Sequence, residues 1–590
     1  MLPVERVPAH QLAVALRDAG VARGQHIGLA VGPDLVGLAT PDRLLAVAGD
    51  EVGMLLGLAE ADALVRPRWV CWSGATATAL VARGVRLATC WDVAVVHRLL
   101  RGGWRAEPER VWAQLHGLDH HRLPVMGQLD LLGGDGDGGG DGEQPVRPDG
   151  YLRPEWLAGA WADSPARAAR WAASALSASN VQQTQLAGLR STGEVHGDPE
   201  ATARAESAAE LLCAELAADG LPVDRTAAEA LIGSLVGPRA TTEAAAAAGR
   251  SRRDAEVLQH LPPGSGIDLR NPADVKSLLR RLGIDVPDTR AWRLEQLRTV
   301  HPVIDALLLW RKAERVATTF GYGWLDAHVA ADNRLRGEWS SSDGAAGRMT
   351  AQAGLHNLPA ELRPVVMAEE GHVFVRADLG QIEPRVLAAV SGDAALCRAT
   401  QDDDLYAPVA QRLGVERSVA KIAVLAAMYG QTSGTAGQAL RGMETGYPVA
   451  MKYLSDAAMS GVEGRDLRTY GGRLIRMYPI ADDADHRAVA AGRGRYARNA
   501  MVQGAAAELF KVWAVTVRAR GGETGARIVL CLHDELLLHV PQQHAEAAVQ
   551  LLHDCLGEAA YRWQPRRPNG MAVRFVADIS TVHSWADAKG

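Results

Sequence analysis

Phenylalanine appears only four times in 590 residues, and aromatic residues together make up 5% of the chain. Lysine is also scarce, standing only at positions 276, 312, 421, 452, 511 and 589, so nearly all basic charge is arginine. Beside the abundant Ala and Gly, that imbalance reads as a coding bias. No apolar run approaches the roughly 18 residues of a membrane-spanning helix, and the first residues lack a signal-peptide pattern. A cytoplasmic protein with no membrane partner is expected. The six cysteines, Cys71, Cys90, Cys213, Cys397, Cys531 and Cys555, show no paired spacing. That argues against a disulfide framework or a structural zinc site and for reduced thiols.

What is present describes an ordinary globular protein, 47% hydrophobic and 22% charged. The length predicts three or four domains of mixed α/β and α+β type. A net charge of −6 does not suggest nucleic acid. Total charge is a poor guide, however, where acidic metal sites offset basic grooves.

The stretch His372–Arg385 organises the reading. Val373, Val375 and Ala377 alternate with Phe374 and Arg376 as in a buried strand. Asp378, Leu379 and Gly380 follow, then Gln381-Ile382-Glu383, and an apolar run from Val386 to Val390 that predicts a helix. Pro384 suits the first turn of that helix. A carboxylate at a strand end can be aimed at a metal by a rigid scaffold, although an Asp there is more often a turn former or cap.

Along the chain, residues 1–130 mix short apolar runs with turn signals, as in an α/β domain. Gly133–Gly150 reads as a flexible loop. Asp135, Asp137 and Asp141 within it resemble a calcium loop that no downstream Glu completes. Trp156, Trp161, Trp171 and Leu176 have helical spacing and predict packing. Helices are expected around Gly220–Asp224, after Asn271-Pro272 and from Val303 to Phe320. They carry Lys276, Arg280, Arg281, Arg311, Lys312 and Arg315, a face that can track a phosphate backbone; a solvated surface explains the spacing equally.

Glu416–Gly430 predicts a helix with Arg417, Lys421, Leu425 and Met428 along one side. Two cations a turn apart can hold a triphosphate; two exposed cations above a core stripe fit as well. Arg495, Asn499 and Gln503 stand at i+4 steps, suited to minor-groove acceptors or simply to an exposed face. Arg527–Pro541 is two apolar strands broken by His533-Asp534-Glu535. Burying such ionisable groups is unfavourable unless something pairs with them, and a divalent metal would.

Together these segments resemble the family A DNA polymerases, over roughly residues 200–590. The strand motif reads D-L-G-Q-I-E-P-R against the family's D-Y-S-Q-I-E-L-R. Arg417, Lys421, Tyr429 and Gly430 keep the family's R-x(3)-K-x(7)-Y-G spacing, and His533-Asp534-Glu535 is kept whole. Gly347-Arg348 through Leu355-His356-Asn357-Leu358-Pro359 is similar to T-G-R-L-S-S…L-Q-N-I-P.

The resemblance implies a right-hand fold: thumb at 193–334, palm at 335–400 and 480–590, fingers at 401–479. A ribonuclease-H-like exonuclease-type domain would occupy 1–192, and the family's separate 5′-nuclease domain would be missing. It implies a monomeric enzyme that adds dNTPs to a primer on a DNA template. Asp378 and Asp534, with the carbonyl of Leu379, would bind two Mg²⁺ ions, which Mn²⁺ can replace, and Glu535 would orient the site. Arg417 and Lys421 would hold the triphosphate, with Lys421 able to protonate pyrophosphate. Leu425, Tyr429, Gln381 and Tyr406 would line the nucleotide pocket, and Glu383 would exclude a ribose 2′-hydroxyl. Arg348, Asn357, Arg495, Asn499, Gln503 and His533 would contact primer–template, with Arg311, Lys312 and Arg315 on its backbone.

There are departures. Leu425 replaces the family's aromatic residue, Val424 and Ala426 its usual Asn and Gly, and Tyr406 a phosphate-contacting His. The Asp-x-Glu that proofreading needs occurs before residue 150 only as Asp141–Glu143, and no Tyr precedes Tyr151. An N-terminal domain without exonuclease chemistry is therefore expected. Two competing readings remain: an impaired polymerase fold that only binds primer–template, and an RNA polymerase, against which Glu383 argues.

Overall fold

The computed structural model describes residues 2–125, 143–262, 265–430, 435–480, 485–564 and 571–588. Asp135, Asp137 and Asp141 of the glycine-rich stretch lie outside them. The chain forms two compact units. One comprises Met1–Asp219, Glu338–Thr350 and Val375–Thr581; the other comprises Gly220–Gly337, Ala351–Phe374 and Val582–Gly590. Among the described residues no helix is long and apolar enough to cross a membrane, and all six cysteines are buried and form no disulfide.

The first unit opens with a six-stranded sheet. His26–Val31, Val36–Ala39 and Leu44–Ala48 form an antiparallel meander. Arg68–Cys71 and then Cys90–Asp92 extend it in parallel beyond His26–Val31, and Val4–Pro8 lies parallel to Leu44–Ala48 on the other edge. Beyond His26, the inner strands His26–Val31 and Val36–Ala39 are apolar and buried because both faces are covered. The helix Pro165–Ser191 covers one face through Ala168, Ala169, Ala172 and Ala175, all fully buried. It comes so close that a Cβ on Gly28 or Gly37 would stand 2.1 or 2.2 Å from its backbone. Glycine is required there by proximity. Trp156, Trp171 and Leu176 are buried against the sheet, as packing residues, with Trp161 partly covered.

No carboxylate lies on His26–Val31. The acid at the end of the last strand, Asp92, accepts the Val95 N–H at 2.8 Å and caps the helix Val93–Arg101. Glu143 pairs with Arg167 at 3.1 Å and Arg170 at 2.9 Å.

The same unit contains a four-stranded sheet in the order Arg527–Leu532, Glu535–Pro541, His372–Leu379, Ala577–Val582. The 35-residue helix His486–Arg520 runs through its largest core, beside Pro448–Glu463 and Ala545–Trp563. The i+4 spacing of Arg495, Asn499 and Gln503 marks only part of this helix; its buried face is so rich in alanine that periodicity there is faint.

Fully buried charge ties these layers together. Glu206 of the helix Pro199–Asp219 meets Arg473 at 2.7 Å and also Lys511 of the long helix. One turn before Lys511, Glu508 accepts the Gly471 N–H at 2.8 Å and the Thr469 hydroxyl. In the second unit, Glu243–Leu258, Pro272–Arg281 and Pro302–Thr319 enclose a smaller core of Val257, Leu278, Leu307 and Trp310.

Burial pushes the Glu508 carboxyl from 4.5 up to about 7. A folded-state value above the unfolded one contributes stability below about pH 4.5 that is lost as pH rises through 7. Glu508→Gln should therefore flatten the fall in thermal midpoint between pH 5 and pH 8. An unchanged fall would show that Glu508 titrates normally.

Candidate active site

The strand His372–Leu379 carries Asp378 and Leu379 at its end, and Val375 and Ala377 anchor it in the core. The chain then turns through Gln381, held in the left-handed region at φ 54°, into the helix Ile382–Ser391, with Pro384 in the first turn as expected. On the neighbouring hairpin Leu532 faces Glu535, which leaves His533 and Asp534 as a two-residue turn. The Leu379 N–H donates to the Asp534 carbonyl at 2.8 Å. One main-chain bond thus joins two residues 155 positions apart.

Arg376, two residues before Asp378, lies almost wholly out of water. Its guanidinium donates to Asp378 and, at 3.0 Å, to Glu535. Glu535 therefore faces this arginine and positions it. Burial, helped by the charges of Asp378 and Glu535, pushes the Asp534 carboxyl up to about 6. Negative charge is in excess at this strand end. The donor set of Asp378, Asp534 and the Leu379 carbonyl is all hard oxygen, which suits a magnesium ion, and a bound cation would relieve that excess.

Around this centre Glu383 is held from two sides, by Arg348 Nη2 at 3.0 Å and by the Tyr429 hydroxyl at 3.0 Å. Both Arg348 and Glu383 act on the His533 ring, whose pKa is lowered chiefly by burial. Gln503 reaches Tyr429. Arg495 and Asn499 precede it on the long helix, and a Cβ on Gly430 would stand 3.2 Å from Arg495 Cγ.

On the helix Arg417–Tyr429, Arg417 and Lys421 are exposed and Leu425 is half-buried. Met428 does not share their side: it is fully buried, with Val424 and Ala426. The i+3 step from Leu425 carries it over to the core. Arg417 pairs with Asp404, and this bond holds the Asp404 carboxyl below its usual range. Gln381 bridges to the same loop, donating to Asp404 at 2.9 Å and accepting the Leu405 N–H at 2.8 Å. The Tyr406 ring is buried, and Arg417 sits 5.8 Å from its centroid.

Asn357, Arg311, Lys312 and Arg315 lie in the second unit. There Arg315 donates to the Asn357 carbonyl at 2.7 Å, Lys312 pairs with Glu361 at 2.9 Å, and Arg311 donates to the Thr289 carbonyl.

Three residues at the site went unassigned in the sequence. Arg376 carried a usable signal, since it stands two positions from Asp378 and so shares its face of the strand. Arg385 is wholly buried and donates to the carbonyls of Gly380, Thr400, Asp402, Asp403 and Arg574. Asp404 gave no signal beyond its place in an Asp triplet.

Residues 267–587 match DNA polymerase family A, and the chain belongs to that family. It is similar to DNA polymerase I of Chloroflexus aurantiacus, 31% identical over 299 residues, which are 46% of this chain and 31% of that one. It is also similar to the thermostable DNA polymerase I of Thermus aquaticus, 29% identical over 330 residues, 51% of this chain and 38% of the other. The matched stretches thus span about a third of these relatives' length. The POL domain of Pol1 from M. smegmatis, solved in complex with DNA primer-template and dNTP, shares the fold. Its TM-score is 0.68 with 22% identity, and each chain is covered in full.

Replacing Arg376 breaks a nearly buried ion pair with Glu535. Arg376→Met should cost about 3–5 kcal/mol in a denaturant titration. Wild-type stability in that variant would mean that water reaches Glu535.

Proposed function

We propose that this chain is a DNA-directed DNA polymerase that adds dNTPs to a primer 3′-hydroxyl on a DNA template, without proofreading. The observation that carries the reading is the bond from the Leu379 N–H to the Asp534 carbonyl, which sets Asp378 and Asp534 side by side.

Asp378, Asp534 and the Leu379 carbonyl would hold two magnesium ions, which supply charge neutralisation for an in-line phosphoryl transfer. Arg417 and Lys421 bind the triphosphate once Arg417 leaves Asp404. Lys421 is exposed and makes no ion pair among the described residues, and it would give a proton to the departing pyrophosphate. Glu383, fixed by Arg348 and Tyr429, takes the space a ribose 2′-hydroxyl would need. Gln503, Asn499 and Arg495 follow the minor groove of the primer–template.

In this reading residues 335–400 and 480–590 are the palm, 401–479 the fingers and 193–334 the thumb. A ribonuclease-H-like domain at 1–192 is supported by the antiparallel meander that continues into two parallel strands. The absence of carboxylates from His26–Val31 supports the loss of exonuclease chemistry. Of the substitutions at 424–426 that motivate a merely DNA-binding protein, Val424 and Ala426 lie in the core, and only Leu425 is half-buried on the helix that carries Arg417 and Lys421.

Primer extension tests the proposal. Template-dependent synthesis with Mg²⁺ is expected, dNTPs in preference to NTPs, falling by at least about 10³-fold in Asp378→Ala and Asp534→Ala. A mismatched 3′ end should survive undigested. Tight primer–template binding with no extension would overturn the catalytic reading.

A further inference from the structure

Aromatic residues are few, and most are buried. Among the described residues five rings stand exposed: Trp104, Trp292, Tyr478, Tyr496 and Tyr561. Three of the five gather at one place in the first unit. A Cβ on Gly344, at φ 74°, would stand 2.5 Å from the Trp104 indole, so that ring rests on glycine. A Cβ on the neighbouring Gly103 would stand 3.9 Å from the Tyr478 hydroxyl. Arg493, three residues before Tyr496 on the helix His486–Arg520, donates to the Tyr478 carbonyl at 3.1 Å, which brings that turn of the helix to Tyr478. Trp104 is 59% exposed and Tyr478 66%. Single exposed rings are normal, but a cluster marks a contact surface.

Charge specifies the partner. Arg476 donates to the Arg101 carbonyl, Arg493 to the Tyr478 carbonyl at 3.1 Å, and Arg98 to the Trp104 carbonyl at 3.3 Å. Arg101, Arg110, Arg476 and Arg493 form no ion pair among the described residues. The acids at hand are engaged: Asp343 accepts the N–H groups of Ala345 and Gly347, and Glu107 pairs with Arg105. After burial, it is Arg101, Arg110, Arg476 and Arg98 that depress the pKa of the enclosed His97 to about 3. Flat apolar faces ringed by unneutralised guanidinium groups suit unpaired bases on a phosphate backbone. The surface also continues into the proposed DNA line. The loop bearing Gly344 leads into Arg348, and Tyr496 follows Arg495.

We propose that Trp104, Tyr478 and Tyr496, rimmed by Arg101, Arg110, Arg476 and Arg493, form a stacking platform for the unpaired template strand beyond the primer end. The choice of the template rests on the polymerase reading. The platform gives the N-terminal domain, to which Trp104 belongs, a use that needs no carboxylate.

The test is fluorescence anisotropy with labelled primer–templates carrying a one-nucleotide or a twelve-nucleotide 5′ overhang, or a frayed 3′ primer end. The wild-type protein should bind the long overhang about tenfold more tightly than the short one. The double variant Trp104→Ala, Tyr478→Ala should bind both alike, at the wild type's short-overhang affinity. Both rings are more than half exposed, so its thermal midpoint should not move. Arg476→Ala should lower the salt slope by about one for the long overhang only. Equal wild-type affinities, a length preference that survives in the double variant, or a preference for the frayed primer would each overturn the platform. Extension of the short-overhang substrate, read in the same mixtures, reports on the polymerase reading separately.

Discussion

Three carboxylates converge where one strand ends and a hairpin turns, and everything at this site depends on how their repulsion is held. Like charges about 4 Å apart near a protein surface repel by about 4 kcal/mol. Two devices oppose this: the main-chain bond from Leu379 to Asp534, and the buried Arg376 between Asp378 and Glu535. The bond fixes position without adding charge. The arginine neutralises from behind and leaves the open side negative, and burial together with that charge raises the pKa of Asp534. A scaffold built this way stores an attraction for cations.

Around that centre, polar contacts tie segments that are distant in sequence. Glu383 is a junction for Arg348 and Tyr429, and Asp404 for Gln381 and Arg417. Arg385 gathers five carbonyls from three segments of the chain, a task that suits a planar fork of five donors and that lysine cannot perform. The ion pair between Arg417 and Asp404 keeps the cation proposed to bind phosphate occupied at the protein surface. A triphosphate would compete for it, and an exposed pair of this kind is weak enough to yield.

The N-terminal sheet gives up polar chemistry for packing. Its inner strands are mostly apolar, Asp92 serves as a helix cap, and Glu143 is spent on two arginines. Function in this domain moves to its rim, where a glycine loop presents Trp104 beside Tyr478.

The linear sequence determined the elements and the family. The β-branched run ending in Asp378, the turn at His533-Asp534 and the cation spacing at Arg417 and Lys421 are local patterns. Local sterics and short-range spacing fix them, so they could be read directly. The tryptophans of 154–190 were legible as packing for the same reason. The full length of the helix His486–Arg520 was not, because an alanine-rich face carries little periodicity. Only the tertiary structure decided which side chains meet: Arg376 with Glu535, Arg348 with Glu383, Gln381 with Asp404. Such pairs join positions up to 159 residues apart, and no local pattern encodes a partner at that distance. Burial is equally non-local. It placed Met428 in the core, off the side of the helix its spacing had suggested, and it raised the Asp534 carboxyl, because both depend on what the rest of the chain packs around them.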